Sequence, residues 1–190
     1  MKKTSAPQTD LSKYDNSWYQ PGSQLKRLAW HVVGRVFLNT YIPFPVFIKV
    51  FILRLFGSKI AANVMIKPKV NIKYPWYLAI GENTWIGEKV WIDNLTNVTI
   101  GANCCLSQEA FLLTGNHDYK SPLFSLILAP ITLESGVWIG SKAVVCPGVT
   151  CHSHSVLTVN SVATKDLIPY GIYGGNPAIL IRNRVMQSEN

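Results

Sequence analysis

The chain is 190 residues long, with 48% hydrophobic and 15% charged residues. That length suits one domain with a sizeable core, and the composition excludes an intrinsically disordered chain, which shows the opposite balance. Lys and Arg outnumber Asp and Glu by 18 to 10, a net charge of +8, so an anionic partner is expected: a phosphate-bearing cofactor, a membrane face or nucleic acid.

Residues 1–22 read as a flexible N-terminus. No apolar region follows Lys2 and Lys3, so no secretory signal is read and the expected location is the cytoplasm. Residues 23–58 read as a helical segment. Within it, residues 41–56 (YIPFPVFIKVFILRLF) are strongly apolar, but Pro43, Pro45, Lys49 and Arg54 interrupt them. A spanning helix needs roughly 20 apolar residues with few charges. The run therefore either packs on the main domain or lies at a membrane interface, where neighbouring Lys26, Arg27, Arg35 and Lys59 suit an anionic leaflet at the inner face.

From residue 59 to 170 a six-residue repeat takes over. Units start at Ile60, Ile66, Ile72, Ile80, Ile86, Ile92, Ile100, Leu106 and Leu112. A second series starts at Leu133, Ile139, Val145, Cys151, Leu157 and Ala163. The fifth position is mostly small or β-branched, as at Val64, Val70, Thr84, Val90, Cys104, Ala110, Val137 and Ala143. Asn63, Asn83 and Asn103 recur every 20 residues, and Asn tolerates the left-handed backbone that a tight corner demands. A helix face repeats every 3.6 residues and a strand every two. A period of six fits a short strand and a turn, three units forming one triangular coil of a solenoid. About five coils are expected, with leading and fifth-position side chains pointing inward.

The repeat lapses at residues 118–130, a loop insertion of the kind a solenoid ejects on its binding face. His117 stands at the departure point. Imidazole titrates near neutrality and can take a proton from an attacking hydroxyl; the competing reading is a loop histidine that hydrogen-bonds a turn. Asp118 either orients His117 or caps the loop. Asp93 and Asn94 either bind a sugar hydroxyl or stabilise a corner. Trp76, Trp85 and Trp91 either stack on a sugar or pack outward and against the N-terminal helices. Cys104, Cys105, Cys146 and Cys151 lack zinc-site spacing and read as reduced structural thiols, and no metal site is expected. No nucleic-acid-binding motif accompanies the charge, so no nucleic acid partner is expected. Residues 171–190 read as a C-terminal tail.

The I–G–x–x–(T/V) units, TGNHDY, PITLESGVWIGSKAVVCPGVT, TKDL and GGNPA resemble the hexapeptide-repeat O-acetyltransferases. Within them, LRLFGSKIAANVMIKPKVNIKYPW extends the likeness to the colanic acid biosynthesis acetyltransferases, the WcaF-like group, over roughly residues 22–185. The resemblance implies a left-handed parallel β-helix, an exception to the right-handed crossover rule. It also implies a homotrimer with acetyl-CoA lying between subunits and a saccharide acceptor destined for an exopolysaccharide or surface glycan.

By motif, the resemblance makes His117 the general base. It places Trp138, Gly140, Ser141 and Val159 along the cofactor channel, with Gly140 allowing close approach of the pantetheine and Val159 bulkier than is usual there. Thr164 and Lys165 would meet the nucleotide end. Arg182 matches the second arginine after the GxPA segment, whereas Ile179 stands where relatives often carry the first. Lys142 and Arg184 are further cations available to the anionic cofactor. Set against this enzymatic reading is a non-catalytic β-helix or a carbonic-anhydrase-like metal protein, in which His117 would converge with His152 or His154 between subunits.

Overall fold

Each six-residue unit forms a strand of two or three residues and a tight corner, and the units wind into a three-sided β-helix. The computed structural model describes residues 7–187. The first face stacks Lys59–Ile60, Leu78–Ile80, Val98–Ile100, Ile131–Leu133 and Thr150–Cys151 in parallel. The second stacks Met65–Ile66, Trp85–Ile86, Cys105–Leu106, Trp138–Ile139, Val156–Leu157 and Gly171–Gly175. The third stacks Asn71–Ile72, Trp91–Asp93, Phe111–Leu113, Val144–Val145 and Val162–Ala163. Five turns are complete, and Leu167, bridged to Cys151, begins a sixth.

The interior is a column of the leading residues. Ile66, Ile86, Leu106, Ile139 and Leu157 stack beneath the second face with almost no exposure, and fifth-position Val70, Val90, Ala110, Ala143 and Val137 are sealed in beside them. The corners need left-handed backbone. Asn63, Asn83 and Asn103 each sit at φ 56, as their chemistry suggests. Lys69, Lys89, Glu109 and Lys142 adopt the same conformation without that chemistry. The glycines of the I–G units answer a different demand, close stacking of coils. A Cβ on Gly140 would lie 2.6 Å from the Val159 amide nitrogen, and one on Gly87 2.6 Å from the Leu106 carbonyl oxygen.

An open solenoid end exposes unpaired backbone groups. Inside the stack, the carbonyl of a leading residue accepts an amide from the coil before it: Ala61 donates to Ile80, Lys67 to Ile86 and Lys73 to Ile92. The first coil has no predecessor, and three N-terminal side chains replace it. Helix α1 (Gln24–Phe37) supplies Trp30, whose Nε1 donates to the Ile72 carbonyl at 2.9 Å. Helix α2 (Val46–Leu55) supplies buried Lys49, whose Nζ donates to the Ile66 carbonyl at 3.0 Å. It also supplies Arg54, whose Nη2 donates to the Ile60 carbonyl at 2.7 Å. Burial lowers the Lys49 pKa, and nearby Lys67 lowers it further.

The apolar run at residues 41–56 thus becomes a ten-residue helix only from Val46 onward. Among the described residues, no helix is long and apolar enough to cross a membrane.

Three boundaries differ from the sequence reading. The insertion is wider than residues 118–130: Gly115–His117 and Leu126–Leu128 form an antiparallel hairpin projecting from the stack. Residues 7–22 are not a loose leader. The Asp10 amide donates to the Pro122 carbonyl at 2.9 Å, the Tyr19 hydroxyl donates to the Leu95 carbonyl, and Pro21 is buried. Residues 1–6 of that segment lie outside the described residues. The expected C-terminal tail instead continues the fold to Asn183, because Gly171–Gly175 extends the second face and Ala178–Asn183 turns back antiparallel along its edge.

Candidate active site

His117 lies on the projecting hairpin rather than within the coil, and the hairpin fixes its ring. Its Nδ1 lies 2.9 Å from the Phe124 carbonyl oxygen. A carbonyl only accepts, so Nδ1 carries the proton and Nε2 of the neutral ring keeps its lone pair. The Phe124 ring stacks on the imidazole with centroids 4.3 Å apart and planes 7° from parallel, and the Tyr14 ring closes a second side at 5.6 Å. The imidazole is half-buried. Asp118 does not orient it; its Oδ1 accepts the Lys120 amide at 3.0 Å, which caps the loop. Phe124 and Tyr14 are therefore site residues that sequence reasoning missed, since both reach His117 through the tertiary fold.

Asp93 and Asn94 occupy the corner between the third and first faces, one coil before the hairpin leaves that same corner. Their roles separate. Asn94 is fully buried: its Oδ1 accepts the Tyr74 amide at 3.0 Å and its Nδ2 donates to the Tyr74 carbonyl at 2.6 Å. It stitches two coils together, the corner role, and is not placed to bind an acceptor sugar. Asp93 is half-buried and its Oδ1 makes no hydrogen bond, with the Lys73 ammonium 3.8 Å away. Burial raises its pKa against the pull of Lys73.

The residues assigned to the cofactor gather elsewhere. Trp138 projects from the second face, 47% exposed, and its Nε1 donates to Ser107 Oγ at 3.0 Å. At the corner between the second and third faces, the Ser141 hydroxyl donates to Gln108 Oε1 at 3.0 Å. Val159 lies one coil further on at that corner and is 66% exposed. Gly140 sits between them, and the coil behind it already requires a glycine there. Ser107 and Gln108 were not singled out as cofactor-side residues; they hold Trp138 and Ser141 from the preceding coil.

Thr164 and Lys165 are exposed at the third–first corner, and Arg182 is exposed on the terminal edge strand. Lys142 and Arg184 are already engaged. Lys142 lies 3.8 Å from Glu109, and Arg184 Nη1 donates to the Gly136 and His154 carbonyls, both at 3.2 Å. Within one chain, His117 and the Trp138–Ser141 group thus stand on different edges of the prism, with the third face between them.

Of the other three histidines, His31 lies on α1, and His152 and His154 lie on the coils. His152 Nδ1 lies 3.0 Å from Glu134 Oε1, and the His154 ring stacks on Tyr170 at 4.8 Å. Among the described residues, no three His, Cys, Asp or Glu side chains gather where a metal ion could sit. The four cysteines are free thiols, and burial pushes the pKa of each upward. Trp85 faces outward at 62% exposure, Trp91 stacks on Phe111 at 4.7 Å, and Trp76 packs beneath Lys26 beside the N-terminal helices.

No protein-family model matches the chain. Over 137 residues it is 41% identical to a protein of Escherichia coli (strain K12) named "Putative colanic acid biosynthesis acetyltransferase WcaF", spanning 72% of this chain and 75% of that one. Among solved structures, it superposes with TM-score 0.75 and 25% identity on the hexapeptide-repeat containing acetyltransferase VCA0836 from Vibrio cholerae, covering 85% of this chain and 94% of the other. A galactoside acetyltransferase in complex with coenzyme A superposes with TM-score 0.69 and 27% identity, covering 84% of this chain and 80% of the other. The β-helix is accordingly the left-handed parallel form.

Proposed function

Since the chain belongs to the hexapeptide-repeat acetyltransferases, in the group that contains the colanic acid biosynthesis acetyltransferases, we propose that it transfers an acetyl group from acetyl-CoA to a saccharide hydroxyl, with His117 as general base. The acceptor would be a building block of an exopolysaccharide or surface glycan. The observation that carries the reading is the 2.9 Å contact between His117 Nδ1 and the Phe124 carbonyl, which leaves Nε2 free to accept a proton.

The steps balance without a covalent enzyme intermediate. Nε2 of His117 takes the proton from the acceptor hydroxyl as its oxygen bonds to the thioester carbonyl carbon. The tetrahedral oxyanion collapses, the C–S bond breaks, and the imidazolium returns its proton to the departing thiolate. The products are the acetyl ester and free coenzyme A. General-base action of this kind is worth ~10²–10⁴-fold, and one backbone N–H on the oxyanion about 3 kcal/mol. Holding both substrates in register supplies much of the rest.

The relative bound to coenzyme A supports a coenzyme A site here, in which Trp138, Gly140, Ser141 and Val159 line the pantetheine and Thr164, Lys165 and Arg182 meet the nucleotide end. The separation of His117 from Trp138 and Ser141 within one chain supports a site completed by a second copy, as in a homotrimer. Asp93, at the corner from which the His117 hairpin rises, would accept a hydrogen bond from the sugar through its half-buried carboxylate, which Lys73 flanks at 3.8 Å.

The test is release of coenzyme A thiol from acetyl-CoA against a panel of free, nucleotide-linked and lipid-linked sugars, comparing the native chain with His117→Ala. A fall of about 10²-fold or more is expected. Full activity in the variant removes His117 as the base.

A further inference from the structure

The net charge of this protein is confined to one region. Residues 16–81 carry nine Lys and Arg and no Asp or Glu; the rest of the chain carries nine Lys and Arg against ten Asp and Glu. The region comprises α1, α2 and the first coil. Two of its cations, Lys49 and Arg54, cap that coil; of the other seven, Lys73 lies 3.8 Å from Asp93 and Lys26 lies over Trp76.

Helix α1 divides into three lines of side chains. Trp30, Val33 and Phe37 face the β-helix. Leu25, Leu28, Val32 and Val36 form an outward apolar line, from 47% to 77% exposed. Between these lines, at four-residue spacing, run Arg27, His31 and Arg35. They form one wall of a cleft of about 360 Å³, whose opposite wall on the third face includes Lys73 and Trp91. No carboxylate lines that cleft, and the Arg27 Nε is buried within the protein without a hydrogen-bond partner. Helix α2 adds a second exposed apolar line, Phe47, Phe51 and Leu55, each at least 64% exposed.

An apolar line flanked by a cationic one is the pattern of a helix lying in a membrane interface. An apolar face alone would fit a second copy of the chain equally well. Seven cations with no acid in the same stretch of sequence, of which Lys73 alone pairs with a carboxylate among the described residues, and a cleft lined by Arg27, Arg35 and Lys73 beside the apolar line, favour a phosphate-bearing surface. We propose that α1 and α2 dock this protein on an anionic phospholipid bilayer, with the apolar line of α1 at the acyl boundary and a lipid phosphate seated between Arg27, Arg35 and Lys73. This inference does not depend on the transferase reading.

The test is co-sedimentation of the full chain with vesicles of pure phosphatidylcholine or of phosphatidylcholine with 30% phosphatidylglycerol. Light scattering of each variant runs alongside, circular dichroism confirms folding, and inorganic pyrophosphate is titrated as a soluble probe. Binding to the anionic vesicles alone is expected. Arg27→Gln with Arg35→Gln should weaken it by roughly 30-fold, as the loss of two surface charges implies. Leu28→Ser with Val32→Ser should weaken it by roughly tenfold or more. The proposal is overturned by absence of vesicle binding, by folded double variants that bind like the native chain, or by apolar variants whose loss of binding accompanies a drop in oligomeric mass. It is also overturned if pyrophosphate binds through Arg27 and Arg35 while vesicles do not.

Discussion

Replacing Trp30 with Phe tests the capping of the first coil. The substitution keeps an aromatic ring against Phe56, whose centroid lies 5.1 Å away, but deletes the donor to the Ile72 carbonyl. Trp30 is 4% exposed, so no water replaces that donor at low cost. A buried acceptor left unpaired costs about 1–3 kcal/mol, and the missing part of the indole adds roughly 1 kcal/mol as a small cavity. The sum is about 2–4 kcal/mol, or ~4–16 °C in Tm for a chain of this size. Phe56→Leu is the control: it disturbs the same packing without touching a hydrogen bond, at a cost of about 1.5 kcal/mol or less. Thermal unfolding followed by circular dichroism gives the totals. Hydrogen exchange gives the location, because a solenoid loosens locally. The amides of Asn71 and Lys73, which pair the first coil with the second, should lose protection while those of Val144 and Cys146 keep theirs. If Trp30→Phe costs no more than Phe56→Leu, or if exchange rises evenly along the stack, the capping argument is wrong.

Gly140→Ala should lower Tm by several degrees, since its Cβ would meet the Val159 nitrogen at 2.6 Å and the Thr158 carbonyl carbon at 2.7 Å; overpacking of this kind costs about 1–3 kcal/mol. An unchanged melting curve would show that the coils part freely. Phe124→Ala leaves the main-chain carbonyl in place but removes the ring stacked on His117, worth about 0.5–1.5 kcal/mol. It should reduce kcat roughly 2–10-fold with little change in KM for acetyl-CoA, as steady-state kinetics would show. Glu134 accepts the Ser153 hydroxyl at 2.8 Å and amide at 2.7 Å and contacts His152, and these bonds hold its carboxyl below the ordinary value of 4.5. A depressed carboxyl stabilises the fold above its unfolded pKa and ceases to do so as pH falls through the folded one. Glu134→Gln should therefore lower Tm at pH 7, with the difference closing as pH drops below 4.5; an equal deficit at both ends of a pH series would show that ionisation is not the cause.

The period of six was enough to place every leading residue from Ile60 to Ala163 inside the prism, because each unit buries its own aliphatic side chain whatever lies far away in sequence. The His117 hairpin was legible as a lapse in that period. Contacts that join distant segments were not. Trp30 meets Ile72 across 42 residues, and Arg54 and Lys49 are ordinary cations until a missing coil gives them carbonyls to serve. For Asn94 the sequence leaves a sugar contact and a corner role open, and the hydrogen bonds to the Tyr74 backbone, 20 residues away, decide for the corner. Residues 10–19 lack an apolar pattern and read as loose, although Asp10 and Tyr19 tie them to Pro122 and Leu95 through main-chain carbonyls that no composition announces. The left-handed corners were legible where Asn marked them; Lys69, Lys89 and Glu109 were driven into the same geometry by the stack around them.

A repeat that accepts one more copy of itself at either end is a template for unlimited growth, since a second molecule could continue the parallel ladders of the first. Here the side chains of Trp30, Lys49 and Arg54 occupy the acceptors that an incoming chain would use at one end. At the other, the reversed strand Ala178–Asn183 offers a newcomer an antiparallel border on the second face. A parallel newcomer therefore meets occupied acceptors at one end of the prism and, on the second face, a strand of the wrong direction at the other.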